Sequence, residues 1–324
     1  MMARLLLDRL LQSILVLLAV SFIVYMLIGL MPGDPIDAMI AADPNLTSAD
    51  AARLKALYGL DRPLVERWGR WLLALLSGDL GYSRLYAQPV ADILAPRLAN
   101  TLSLLVPALL LTAALALPIG VAAARRPGGW LDASVNLLCF AGISVPPFWL
   151  ALLLIILFAV TLGWLPAGGM ETLGGEGGLA DRLRYMVLPV ATLVLLTLGA
   201  HVRHVRAAMI EALRQDHVRT ARAKGASEAR VVWVHALRNA LLPVVTVLAL
   251  EFGALFGGAL VVETMFAYLG MGKLIYDAIL GNDYNVALAG LLAVTTMVLA
   301  GSMLADLAYW ALDPRVTYRG GDGT

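Results

Sequence analysis

Residues 219–243 read RTARAKGASEARVVWVHALRNALLP, six basic side chains if His235 is counted, against one carboxylate, Glu228. A long apolar run stands on each side of the segment. Basic residues in short loops set the orientation of membrane spans, so this stretch decides how the chain is laid out. The 324 residues are 60% hydrophobic and 15% charged, which is too apolar for an ordinary soluble domain. Net charge is only +1 and the cations cluster in particular loops, so the total says nothing about nucleic acid and the distribution matters more; no nucleic-acid partner is expected. A single cysteine, Cys139, excludes an internal disulfide.

A spanning helix needs about 20 apolar residues. Charge-free stretches of that order occupy residues 10–33, 98–124, 133–170, 185–200 and 286–305, and a sixth, 239–262, is interrupted only by Glu251. The expectation is an all-α polytopic membrane protein with six transmembrane helices. Stretch 133–170 is too long for one straight span; Pro146 and Pro147 predict a kink, and LGWLPAGGM an exit into a loop. The opening MMARLLLDRLLQS leads a retained first span, because the apolar run is too long for a cleaved signal. Arg4 and Arg9, Arg125 and Arg126, the cations of 203–238, and Arg315 and Arg319 all fall on one side of a six-span chain, which predicts cytoplasmic termini. Arg182 and Arg184 run against that trend. The divisions expected are 1–33, tail and first span; 34–97, an extracytoplasmic helical loop; 98–312, a core of five spans containing a cytoplasmic loop at 203–240; and 313–324, a cytoplasmic tail.

In the long outer loop, Thr47 or Ser48 caps a helix that Gly59 stops. Pro63 then starts another, in which Leu64, Trp68, Trp71, Leu72 and Leu75 recur at helical spacing until Gly78. Such a helix lies on the membrane surface or packs on a partner. The glycine-rich loop at 166–185 reads as mobile, and the loop at 263–285, rich in aromatics and carboxylates, as partly re-entering the membrane.

Catalytic chemistry finds little support. His201 and His204 have the spacing of two metal ligands on one helix face, but no accompanying ligand set, so no metal site is expected. YLGMGKL lacks the first glycine of a phosphate loop, where Ala267 stands, and its hydroxyl, where Leu274 stands. Ser144 sits before the proline pair without a nucleophile motif, and Gly253, Gly257 and Gly258 read as close helix packing. Glu251 is the intramembrane carboxylate to explain: it lines a substrate path or makes a buried contact.

Within 206–225 a polar helix is expected to leave the fourth span and stop at Gly225; Ser227 caps a short second helix with an apolar stripe, either Val231, Val234 and Leu237 or Val232, Trp233 and Ala236. Pro243 then begins the fifth span. A solvated basic loop, setting topology or touching anionic lipid, accounts for the charge but not for the stripe. Two helices meeting at a glycine account for both, as a docking surface.

These residues resemble the coupling loop of ATP-binding-cassette importer permeases, in the form found in the dipeptide, oligopeptide and nickel branch. Glu-Ala-Ala is usual in that loop; here Arg219, Thr220 and Ala221 stand in its place, as in the peptide branch. MPGDP, YGLDRPLVERWGRWL, GDLGYS, PVADILAPRLANTLSL, SVPPFWLALLLI, VVETMFAYLGMGKLIYDAILGNDY and LDPRVTY, in that order, are similar to the first permease of such systems, the dipeptide-permease B type. The resemblance implies the type I importer permease fold in the cytoplasmic (inner) membrane of a bacterium or archaeon. It implies a permease subunit that moves di- or oligopeptides, with nickel or glutathione as alternatives, beside a second homologous permease, two ATP-binding subunits and an extracytoplasmic solute-binding protein. ATP and magnesium would belong to the ATPase subunits, with no cofactor and no catalysis in this chain, and membrane lipid would surround it. Arg219, Arg222, Ala223, Lys224, Gly225, Ala226, His235, Arg238, Asn239 and Pro243 would form the coupling loop. Glu251 would line the path, and Trp68, Trp71, Asp79 and Tyr82 would meet the binding protein. An ion-coupled secondary transporter is the remote alternative, since Glu251 is almost its whole supply of intramembrane carboxylates.

Overall fold

The computed structural model describes residues 2–30, 53, 62–172, 174 and 178–312. The caps at Thr47 or Ser48, the stop at Gly59, the MPGDP motif and the tail with Arg315 and Arg319 lie outside the described residues. In chain order the helices are α1 (Met2–Gly29), α2 (Leu64–Leu76), α3 (Val90–Ala124), α4 (Trp130–Ser144), α5 (Pro147–Thr161), α6 (Leu179–Leu213), α7 (Asp216–Ala223), α8 (Glu228–Met265), α9 (Met271–Leu280) and α10 (Tyr284–Leu312). Parts of α1 and α10, with the whole of α3, α6 and α8, are long and apolar enough to cross a membrane.

The span expected within 133–170 is broken rather than kinked. α4 and α5 meet at 101°. Val145 and Pro146 are both extended, with ψ of 126° and 137°, because a residue followed by proline is pushed out of the helical region. Two successive extended residues turn the chain where one proline would have bent it. The prediction of six spans therefore holds with α4 and α5 counted as one.

The chain divides into two compact units, Met1–Asn100 with Gly270–Met297, and Thr101–Leu269 with Val298–Thr324. In the first, α2 uses its tryptophans against α1: Trp68 meets Phe22 edge-on at 5.2 Å, Trp71 meets Tyr25 at 5.9 Å, and the Trp68 indole donates to Ser21 Oγ at 3.3 Å. A two-stranded hairpin, β1 (Tyr82–Ser83) with β2 (Gln88–Pro89), interrupts the helices. Its anchor is Asp283, 2% exposed, which accepts from Ser83 Oγ at 2.6 Å and Leu85 N at 2.9 Å while Val286 N caps onto its other oxygen at 3.4 Å. Beneath lies an apolar core of Ile28, Val90, Ile93, Met271, Leu274, Ile275 and Val286.

In the second unit α6 is the central helix, packed by α4 and α8. Gly199 of α6 lets the Cys139 backbone approach: a Cβ there would stand 2.7 Å from the Cys139 carbonyl oxygen. Of the three glycines expected to mark close packing in α8, only Gly253 does, against Val298; Gly257 and Gly258 look into open space. Glycine content misled at the outer loop as well. The Gly169 amide donates to Phe266 O at 2.8 Å, Arg184 to Trp164 O at 3.0 Å, and Asp181 accepts from Thr172 N and Oγ1 at 2.7 and 2.8 Å. That part of the loop is tied down.

Candidate functional site

The basic segment forms a helical hairpin closed by a glycine. α6 stops at Leu213 and α7 begins at Asp216, so the polar helix expected to run unbroken to Gly225 is split by a turn at Arg214 and Gln215. Gly225 stops α7 as predicted, with φ of +78°, the left-handed region that glycine occupies without the steric cost of a Cβ. No heavy atom lies within 4 Å of where its Cβ would be. Conformation is what this chain asks of Gly225; its own packing asks nothing.

Ser227 caps α8 by accepting from Arg230 N at 3.5 Å. The expected short helix is continuous with the fifth span: α8 runs through a π-helical segment, Val231–Ala236, and on to Met265. Pro243 accordingly lies inside α8 instead of beginning it. The ring cannot donate to the Asn239 carbonyl, a loss that helices within a membrane bundle tolerate. Helix initiation belongs to Ser227, whose hydroxyl satisfies a first-turn amide that proline at 243 has no means of capping.

The apolar stripe divides. Val231, Val232 and Ala236 are buried with Val218 and Ala221 of α7 against Val205, Met209 and Ala212 of α6 and Ala116, Val121 and Ala124 of α3. Each of the fully buried valines contributes about 1.5–3 kcal/mol. Trp233 and Val234, at 49% and 52%, stay exposed. The stripe thus first holds the hairpin to its own unit, and only these two side chains remain for a partner.

Polar groups lock the turn. Arg222 Nε and Nη2 donate to the two Glu228 carboxylate oxygens across Gly225, at 2.8 and 3.3 Å, and this partner holds the Arg222 guanidinium above even its usual high pKa. The Asn239 amide donates to His217 Nε2 at 2.7 Å and to the His235 carbonyl at 3.5 Å, tying α7 to α8. Arg219, Arg222, Ala223, Lys224, Gly225, Arg238 and Asn239 are exposed, whereas Ala226 and His235 are half-buried. All but Pro243 gather at the hairpin. His217 is an addition: its role depends on Asn239, twenty-two positions away, which spacing does not announce.

Glu251 is half-buried in α8 and forms no hydrogen bond or ion pair with the described residues. Besides Asp283, two buried carboxylates escaped the sequence reading. Glu263, fully buried, accepts from Thr101 Oγ1 at 2.5 Å, and Asp132, 3% exposed, is paired with Arg206. Asp132 stands in the first turn of a helix behind Gly128 and Gly129, a placement that looks like ordinary capping. Histidines 201 and 204 do not converge: His201 is buried with Nδ1 2.9 Å from Thr197 O, and His204 is exposed. Among the described residues no cluster of metal-ligating side chains forms. Trp68 and Trp71 face α1, while Asp79, which accepts from Gly81 N at 2.8 Å, and Tyr82 are exposed.

The chain matches known proteins over most of its length. Residues 116–318 match the family described as binding-protein-dependent transport system inner membrane component, and residues 2–105 match its N-terminal companion. The oligopeptide transport system permease protein AppB of Bacillus subtilis is 37% identical over 318 residues, 98% of this chain and all of that one. The di/tripeptide transport system permease protein DppB of Pseudomonas aeruginosa is 38% identical, covering 93% and 94% of the two chains. A structure of the MetNI methionine ABC transporter in inward-facing form shares the fold, with a TM-score of 0.54 at 19% identity over 69% of this chain and 97% of that one. With apolar helices of spanning length and a family match over most of its residues, the chain is a multi-pass inner-membrane permease subunit and belongs to the inner membrane components of binding-protein-dependent transport systems.

Proposed function

We propose that the chain carries peptides through the inner membrane as one of two homologous permease subunits of an ATP-driven importer, with residues 216–230 docked on an ATPase subunit at the cytoplasmic face. The observation that carries this reading is the hairpin: a rigid, exposed, basic turn on a chain whose full-length relatives are named peptide permeases. The basic clusters support cytoplasmic termini by the positive-inside rule. No ATP site is assigned to this chain; ATP and magnesium act in the ATPase subunits, and peptide arrives from a binding protein at the opposite face.

The hairpin suits a transmitter of force. The buried valines fix α7 and α8 to α6, and Arg222–Glu228 and His217–Asn239 bridge the turn between them. A push on the exposed turn therefore moves spanning helices rather than bending a loop. Transport follows if ATP binding and peptide binding bias two arrangements of the subunit pair. Glu251, without a partner among the described residues, is assigned to the path, where wetting or substrate would satisfy it.

The test is co-purification with the neighbouring subunits and reconstitution in vesicles. Dialanine or tetra-alanine is expected to be taken up and to stimulate ATP hydrolysis; if no di- or oligopeptide does either, the substrate assignment fails. Gly225→Trp points a bulky group into open space, so it is expected to lower ATPase association while leaving the chain folded. Unchanged association and uptake would remove the turn from the docking surface. Glu251→Gln is expected to impair uptake with assembly intact, and wild-type uptake would take Glu251 off the path.

A further inference from the structure

Outside the docking hairpin, buried Asp132 of α4 is joined to half-buried Arg206 of α6. Asp132 accepts from Arg206 Nε and, at 2.7 Å, Nη2; from Gly128 N at 2.8 Å; and from Asn136 Nδ2 at 2.8 Å. α4 needs such an attachment, because Asp132 and Cys139 are its only buried residues, and Leu137 and Leu138 are each 71% exposed. The second attachment is Cys139 against Gly199. Counting forward from Asp132 to Cys139 and backward from Arg206 to Gly199 gives the same interval, about two helical turns. α4 and α6 are therefore fastened antiparallel and in register at two levels. Between them Arg203 stands over the Phe140 ring at 4.9 Å. Val135, one turn beyond Asp132, packs on the core that holds Val218, Ala221 and Val231 of the hairpin.

We infer that Asp132 and Arg206 are positioning residues that make α4 and α6 move as one body, so that displacement of the 216–230 hairpin reaches the 101° bend between α4 and α5. The inference rests on the proposed docking of that hairpin on an ATPase. A helix with so little buried apolar surface would otherwise lag behind α6, and the bend would absorb the motion. An ion pair suits this task better than apolar packing, because two parallel N–H···O bonds fix orientation as well as distance.

The experiment uses the reconstituted transporter with its ATPase, second permease and binding protein, and dialanine or tetra-alanine as probe, in a Cys139→Ala background. Asp132→Cys with Arg206→Cys is expected to hydrolyse ATP while peptide moved per ATP falls about fivefold, the size of effect typical of residues along a coupling route. Joining the two thiols with a short bifunctional reagent is expected to restore the ratio to within about twofold of the background. If the joined form hydrolyses ATP but does not transport, the two helices must separate during the cycle and the inference is overturned. An unchanged ratio before joining overturns it as well, since a merely structural pair would lower the yield of assembled complex and leave the ratio intact. Should the double variant fail to assemble, Asp132→Asn and Arg206→Lys replace it, with lowered ratios expected and unchanged ones decisive against. Retained ATPase association in every variant separates failure of this inference from failure of the docking reading.

Discussion

Two arginine–carboxylate pairs lie in the same unit and differ in almost everything but chemistry. Arg222–Glu228 spans the glycine turn with side chains 43% and 59% exposed, whereas Arg206–Asp132 joins two helices with side chains 24% and 5% exposed. Exposed pairs gain little against water and are screened by salt. A buried pair contributes little relative to an apolar substitute, yet losing one partner strands a charge and costs far more. The difference teaches where the molecule tolerates contact: the exposed pair can exchange partners with a docking protein, and the buried one cannot.

The comparison is broken most directly at Asp132. Asp132→Ala leaves Arg206 and Gly128 N without their acceptor and is expected to destabilise the chain by about 3 kcal/mol, seen as a lower thermal midpoint in detergent. A wild-type midpoint would place this pair in the same class as the exposed one. Val231→Ala, which empties a fully buried site beneath the turn, is expected to cost about 2 kcal/mol by the same measurement, and a negligible cost would mean that the hairpin is not held by its core. Gly225→Val is expected to cost about 1–2 kcal/mol of backbone strain, visible as faster amide exchange around the turn, with Gly225→Asn milder because asparagine tolerates the left-handed region. Equal exchange in both would show that φ is not the constraint. Smallest of all, Glu228→Gln is expected to change stability by under about 1 kcal/mol, an effect that vanishes in high salt. A large, salt-insensitive loss would show the outer pair to be as structural as the inner.

The parts legible in the sequence are those governed by neighbours along the chain. Pro63 starts α2, Gly78 ends it, Gly225 ends α7 and Ser227 caps α8, each by a constraint contained within a turn of helix. Spanning helices were legible for the same reason, since length and apolarity are local sums. What stayed hidden depends on partners far away. Asp132 meets Arg206 across 74 positions and Asp283 meets Ser83 across 200, so neither carboxylate could be told from a solvated one. The apolar stripe was visible, but its division between an own core and an exposed Trp233 was not, because periodicity locates a face without naming what covers it. Pro243 misled by a general preference: its place in a first turn is common, but the cap at Ser227 had already begun the helix.

The π-helical segment of α8 has a consequence of phase. Hydrogen bonds closing over five residues instead of four hold an additional residue in the turn, and each residue of an α-helix advances about 100°. The segment Val231–Ala236 therefore offsets the azimuth at which the turn of Glu228 and Arg230 is presented from the azimuth at which Ala240 and Val244 meet α6. In mechanical terms it is a keyed joint in a drive shaft. Deleting one residue there would let the segment close as plain α-helix and leave its two ends at the azimuths they have now, whereas deleting one from the α-helical stretch that follows would turn one end by roughly a quarter of a revolution relative to the other.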